Sequence, residues 1–395
     1  MSSSSKAHVL TASGFVERDV VIDGIDAVAA GAVSIVPGFV DLTARIALRG
    51  RPDEEQPRAA FLAARRAGFT ALVLGDRRLE DDREGDPADV VTALAAQLRE
   101  VGGPRAKLLA PLTKNGAGSE PGDVHRAVAA GADVFGDVLA HDDSEVLRRS
   151  FELAASVSRP VIVPSFDARL SRRAIAVEGP VATRLGLPAF PVGAAERIGV
   201  FRSIELARLT GVRLHISGIS TARGLQLVEA ARADGVDVSA DVRPWSVLLD
   251  DEAWHRRPYD TVLRVWPPLP RPADTEALAD AVVRGVVAIG IGHGPVPSRL
   301  KALELDVAAA GADMYSDAVG ALLGRFDVAV VSRALSATPA RFGFGGSPIV
   351  DDSSDAVVVR AVDGVVSSGI FAGLRRGGDV AAVVAGATLF RSEVK

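Results

Sequence analysis

The chain contains no cysteine, which excludes disulfides and thiolate metal sites. It has no excess of positive charge. Lys and Arg number 45 against 50 Asp and Glu, for a net charge of −5, so the electrostatic footprint of a nucleic-acid binder is missing. No apolar run reaches about 18 residues free of charges and turn signals, so no membrane span is expected. The opening Met1-Ser2-Ser3-Ser4-Ser5-Lys6 lacks the apolar core of a secretory signal. Repeats of 20–50 residues are absent. So is any Ser-His-Asp order or cysteine-nucleophile motif. These absences lead to the expectation of a soluble cytoplasmic protein.

What is present is a long, apolar chain. Its 395 residues are 48% hydrophobic. That is enough for a large α/β barrel, about 250 residues, with a satellite domain. The middle alternates short β-rich runs with amphipathic Ala/Arg/Leu stretches, the pattern of βα units on a parallel sheet. Strands are expected at Ile35–Asp41, Thr70–Leu74, Lys107–Pro111, Asp133–Gly136, Pro160–Val163, Arg213–Ser217, Asp237–Ala240 and Val286–Gly290. Helices are expected near Glu54–Ala67, Asp89–Val101, Asp123–Ala130, Ser144–Ser156, Ala194–Thr210, Thr221–Asp234, Thr275–Arg284 and Ala312–Leu323. Gly68, Gly131, Gly211, Gly235 and Gly285 stand where helices end and the next strand begins, as left-handed caps require. Eight such units predict a (β/α)8 TIM barrel over residues 37–344. Residues 8–34 and about 345–395 are Val/Gly-rich without long helices, and the flanking domain is bounded at 1–36 and 345–395. Asp355–Val359 and Val380–Val384 look like strands there, which predicts one small β-sheet domain built from both chain ends.

Several segments, in this order and spacing, resemble the dihydroorotase family of the amidohydrolase superfamily over nearly the full length. Pro37-Gly38-Phe39-Val40-Asp41 resembles the family's first-strand motif, and Ala67-Gly68-Phe69-Thr70 its entry to strand two. Ala195-Glu196 followed by Arg202 is similar to the helix before strand six. Leu214-His215-Ile216-Ser217-Gly218-Ile219-Ser220-Thr221-Ala222 resembles the strand-six motif. Pro267-Pro268-Leu269 and Ala288-Ile289-Gly290-Ile291-Gly292-His293-Gly294-Pro295 are similar to the later motifs. The resemblance implies a barrel of amidohydrolase type with one or two zinc ions at the C-terminal ends of its strands. There the metal would lower the pKa of a bound water to about 7.

The chain departs from that pattern where the chemistry lies. The family's His-x-His pair is replaced by Thr43 and Arg45. Arg45 cannot lose its proton and would repel a cation. The strand-five histidine falls on Pro164, the strand-six histidine on Gly218 and the strand-eight aspartate on Gly292. Of an Asp-Asp pair near strand four, Asp137 remains and Val138 follows it. The family's substrate anchors fall on Ala47, Arg77, Trp266 and Pro270. Few specific partners then remain for a small anionic pyrimidine.

The remaining polar residues mostly have plain readings. His215 and His293 are expected as packed or hydrogen-bonded groups, with ligand binding as the alternative. Asp41 is expected to support the first strand. His141-Asp142-Asp143 reads as a cap for the helix at Ser144. His125 and His255 lack ligand spacing. The basic run Arg169-Leu170-Ser171-Arg172-Arg173 reads as a solvated loop, with contact to an anion or an acidic partner surface as the alternative. Gly343-Phe344-Gly345-Gly346 reads as the turn back into the terminal sheet.

A barrel that keeps its frame and loses its first shell is expected to act through its surface, since fold alone does not give function. The resemblance supplies a precedent, an inactive dihydroorotase-like chain that supports aspartate transcarbamoylase. The leading expectation is therefore a non-catalytic dihydroorotase-like subunit of pyrimidine biosynthesis. It would carry no zinc, assemble with the aspartate transcarbamoylase catalytic chain and form a homo-oligomer. The alternatives are a metal-free enzyme rebuilt around Arg45, Arg77, His215 and His293 for an anionic cyclic amide or ureido substrate, and a pyrimidine-metabolite sensor.

Overall fold

The computed structural model describes residues 5–20, 33–46, 56–76, 86–137, 143–171, 174–350, 355–385 and 388–391. The chain opens with β1 (Ser5–Thr11), β2 (Gly14–Val20) and β3 (Val33–Pro37). Barrel strands follow as β4 (Phe39–Ile46), β5 (Phe69–Asp76), β6 (Arg105–Ala110), β7 (Val134–Gly136) and β8 (Val161–Pro164). A small parallel pair, β9 (Ala176–Val177) and β10 (Ala189–Phe190), interrupts them. The barrel resumes with β11 (Leu214–Ile219), β12 (Val238–Val242) and β13 (Ala288–Ile289). The chain ends in β14 (Asp355–Val365), β15 (Arg375–Ala385) and β16 (Thr388–Arg391).

Eight strands form a parallel sheet in the order β13-β12-β11-β8-β7-β6-β5-β4, which curls into a (β/α)8 barrel. Its interior is filled by Val40, Leu42, Val73, Leu109, Val134, Ile162, Ala288 and Phe344, so the centre is a packed core and not a pore. The outer helices are α1 (Pro57–Arg66), α2 (Pro87–Val101), α3 (Val124–Ala129), α4 (Ser144–Ser156), α5 (Val192–Thr210), α6 (Ala222–Ala233), α7 (Pro272–Arg284) and α8 (Ala318–Arg325). The expected caps are in place. Gly68, Gly131, Gly211, Gly235 and Gly285 all have positive φ. Asp143 accepts from the backbone N–H of Glu145 and Val146 and so starts α4. His141 and Asp142 lie outside the described residues.

Both chain ends contribute to a second sheet, ordered β16-β15-β14-β3-β1-β2. Two expectations need correction. The run Ile35–Asp41 is not one strand. It divides at Gly38, whose N–H bonds to the Asp355 carbonyl of the terminal sheet, while the Phe39 N–H bonds to Gly68 O beside the barrel. A Cβ on Gly38 would lie 2.1 Å from Thr70 Oγ1, so only glycine passes this junction. The last barrel helix begins at Ala318 and not near Ala312. The segment before it spends its backbone N–H groups at Met314 and Tyr315 on the His293 ring.

Candidate functional site

The C-terminal ends of the barrel strands carry the residues singled out from the sequence, and most of them are consumed by internal bonds. Within β4, Asp41 is fully buried. It accepts from Thr43 N at 2.8 Å, from Thr43 Oγ1 at 3.0 Å and from the Tyr315 hydroxyl at 2.8 Å. Thr43 Oγ1 also accepts the Gly292 N–H at 2.8 Å. Two positions that the resemblance assigned to metal ligands are thus bonded to each other. The bond lies across the seam between β4 and β13, the two end strands of the barrel sheet. The Tyr315 ring stacks on His293 at 3.9 Å. His293 Nδ1 accepts the Met314 and Tyr315 N–H groups, so its lone pair faces backbone.

A second network centres on Asp241, fully buried at the end of β12. It accepts from His215 Nε2 at 2.9 Å, Ser217 Oγ at 2.9 Å, Gly218 N at 3.0 Å and Arg243 Nη1 at 3.2 Å. The other His215 nitrogen lies 2.7 Å from Ser239 Oγ. Both ring nitrogens are engaged and the residue is fully buried, so His215 is a hydrogen-bonding group of the core. Burial opposes the charge on Asp241. The Arg243 guanidinium and the His215 and Ser217 bonds outweigh it and hold the carboxyl below its ordinary value.

Arg243 is the residue that the sequence did not announce. Its guanidinium reaches Ser217 Oγ at 3.0 Å and Gly290 O at 3.3 Å as well as Asp241, and its Nε is buried with no partner among the described residues. Glycines make the room for it. A Cβ on Gly290 would lie 2.6 Å from Arg243 Nη1. One on Gly292 would lie 2.9 Å from the Trp245 ring and 3.1 Å from Arg243 Cδ, and one on Gly218 would lie 3.2 Å from Pro267. Gly218 and Gly292 also have φ of 79° and 66°, a region side-chain-bearing residues disfavour. Trp245 is fixed by donating Nε1–H to Pro267 O at 2.9 Å. The available signal was a buried-strand Asp-Val-Arg in which the arginine lies two residues past the aspartate, read together with three glycines on neighbouring strands.

The other positions complete the picture. Arg45 lies over Gly75, where a Cβ would come 2.2 Å from its Nη1. Pro164 ends β8 beside Ser217. Asp137 accepts from Leu112 N and Thr113 Oγ1, both at 2.6 Å, and so ties two strand ends together. Trp266 packs on Phe166 and Phe190 at 5.5 and 5.8 Å. Arg77, Ala47, Val138 and part of the basic run (Arg172, Arg173) lie outside the described residues. Among the described residues no three His, Asp or Glu side chains gather as metal ligands. Thr43, Arg45, Pro164, Gly218 and Gly292 supply no imidazole or carboxylate, and Arg243 places a permanent cation among them. This donor set does not fit a zinc ion.

No family model matches the chain. A dihydroorotase of Anaeromyxobacter dehalogenans is 30% identical over 336 residues, 82% of this chain and 76% of that one. A dihydroorotase-like protein of Pseudomonas aeruginosa is 33% identical over 278 residues, 69% of this chain and 62% of that one. Against several further dihydroorotases the chain spans 62–64% of their length, less than two-thirds. Among solved structures, an L-hydantoinase (dihydropyrimidinase) of Arthrobacter aurescens superposes with a TM-score of 0.77 at 17% identity, over 98% of this chain and 96% of that one.

Proposed function

The chain belongs to the dihydroorotase family, and from that premise we propose that it is a non-catalytic member, a structural subunit that supports the assembly or activity of aspartate transcarbamoylase. One observation carries this reading. The positions of the strand-six and strand-eight ligands are glycines whose side-chain space is taken by Arg243, Trp245 and Pro267. A ligand lost by a single substitution leaves a hole. Here the hole is filled, and the filling is bonded into Asp241, Ser217 and Gly290. Zinc-activated water would need a cation site where a guanidinium stands, so the subunit holds no zinc and no water activated by it.

The test is reconstitution with the aspartate transcarbamoylase catalytic chain of the same organism. The proposal expects transferase activity or assembly size to rise when this chain is added, and no dihydroorotase turnover with or without added zinc. Zinc-dependent turnover by the pure chain would overturn it.

A second reading, a metabolite sensor, is favoured by the unpartnered Arg243 Nε and by Trp266, 37% exposed on its aromatic base. It expects calorimetric binding of carbamoyl aspartate or dihydroorotate that Arg243→Met abolishes. No binding at millimolar ligand sinks it.

A further inference from the structure

Helix α5 exposes an apolar face that the barrel does not use. Its inner side is fixed. Ala195, Glu196, Gly199, Val200, Ser203, Ile204 and Ala207 are buried. A Cβ on Gly199 would lie 2.5 Å from the Ser165 carbonyl, so the helix sits directly on the loop after β8. That seating leaves Ile198, Phe201 and Leu209 outward, exposed by 47%, 56% and 68%. Other large exposed apolar residues, such as Val365, Val307 and Tyr259, lie on separate elements. Three on one helix face form a patch of the kind that marks an interface.

The charges on the same face are self-complementary. Arg197 and Glu205 are exposed and lie four residues before and four residues after Phe201. On a helix these three share one ridge. When two such helices cross antiparallel at Phe201, each Arg197 meets the Glu205 of the other copy, and Phe201 meets its twin. A twofold contact is isologous and needs this equal and opposite spacing. Within the chain, Glu205 has Arg208 at 3.4 Å, a long contact that leaves it able to accept a second arginine.

We propose that the outer face of α5 is the twofold contact of a homodimer of this chain, centred on Phe201 and closed on both sides by Arg197–Glu205 pairs. The aromatic anchor supplies the apolar core, and the paired charges set the antiparallel register.

Sedimentation velocity on the pure full-length chain tests it. The wild type is expected to run as a dimer and Phe201→Glu as a folded monomer, with unchanged circular dichroism because Phe201 lies outside the core. Arg197→Glu and Glu205→Arg singly are expected to weaken the dimer about tenfold by opposing like charges. The double variant Arg197→Glu/Glu205→Arg restores opposite charges across the axis and should recover the wild-type constant. A monomeric wild type, a dimer that survives Phe201→Glu, or a double variant no tighter than the singles would overturn the proposal. A chain that is monomeric alone and assembles only with transcarbamoylase would overturn this contact while leaving the subunit reading intact.

Discussion

Gly218 and Gly292 show how a site closes residue by residue. Each has positive φ, and each would drive a Cβ into Pro267, Trp245 or the Arg243 stem. Restoring Gly218→His and Gly292→Asp, together with Thr43→His and Arg45→His, is therefore expected to damage the fold before it rebuilds a metal site. Each glycine change is expected to cost about 1–3 kcal/mol from backbone strain alone. Urea unfolding reads that loss and elemental analysis reads zinc, and stoichiometric zinc in a stable variant would contradict the account. Arg243 and Asp241 act as a pair. Asp241→Asn leaves a buried guanidinium facing a neutral amide and is expected to cost about 3–5 kcal/mol near neutral pH. The Asp241 carboxyl sits below its ordinary value, so its contribution is present above that value and is lost as pH falls through the folded one. The gap between wild type and Asp241→Asn should therefore narrow in acid. A gap that is small at neutral pH, or independent of pH, would count against the pairing.

At the scale of elements, two side chains join parts that the sheet ladder leaves separate. Thr43 stitches β4 to β13 through the Gly292 N–H. Thr43→Val leaves that donor without its partner and removes one of the two bonds to Asp41 Oδ1, the other being the retained Thr43 N–H, an expected loss of about 1–3 kcal/mol measured by urea unfolding. Glu196 on α5 accepts four bonds, from the N–H and hydroxyl groups of Ser220 and Thr221, and so ties α5 to the start of α6. Burial pushes its carboxyl up to about 7 from an ordinary 4.5, against the pull of those bonds. Between these values the folded chain keeps a proton that the unfolded chain has released, so stability declines as pH rises through this range and levels off above it. Wild-type stability relative to Glu196→Gln should fall between about pH 5 and about pH 8. A constant difference would contradict it. Local patterns made much of this level legible in the sequence. The capping glycines and the strand–helix alternation are short-range signals, and they located α4 and α6 to within a residue. Gly38 hid a change of sheet inside one apolar run, because Val33–Pro37 and Phe39–Ile46 differ in partner and not in composition. Arg243 was illegible for the same reason. Its role arises only where β11, β12 and β13 converge, and no single segment contains that convergence.

For the whole molecule, the proposed function separates the frame from the chemistry. A full eight-stranded barrel and a six-stranded sheet from both chain ends persist, and no described helix is long and apolar enough to cross a membrane. The family's ligand positions have been put to structural use at the seam and around Arg243. A barrel stabilised in this way offers its outer faces for contact, and the subunit reading and the α5 dimer both belong to this scale. The most direct test is native mass spectrometry of the protein purified gently from its own cells, with zinc counted in the same spectrum. The account predicts a stoichiometric complex with aspartate transcarbamoylase in which this chain carries no zinc. A chain that is free of transcarbamoylase, or one that carries zinc, would contradict it.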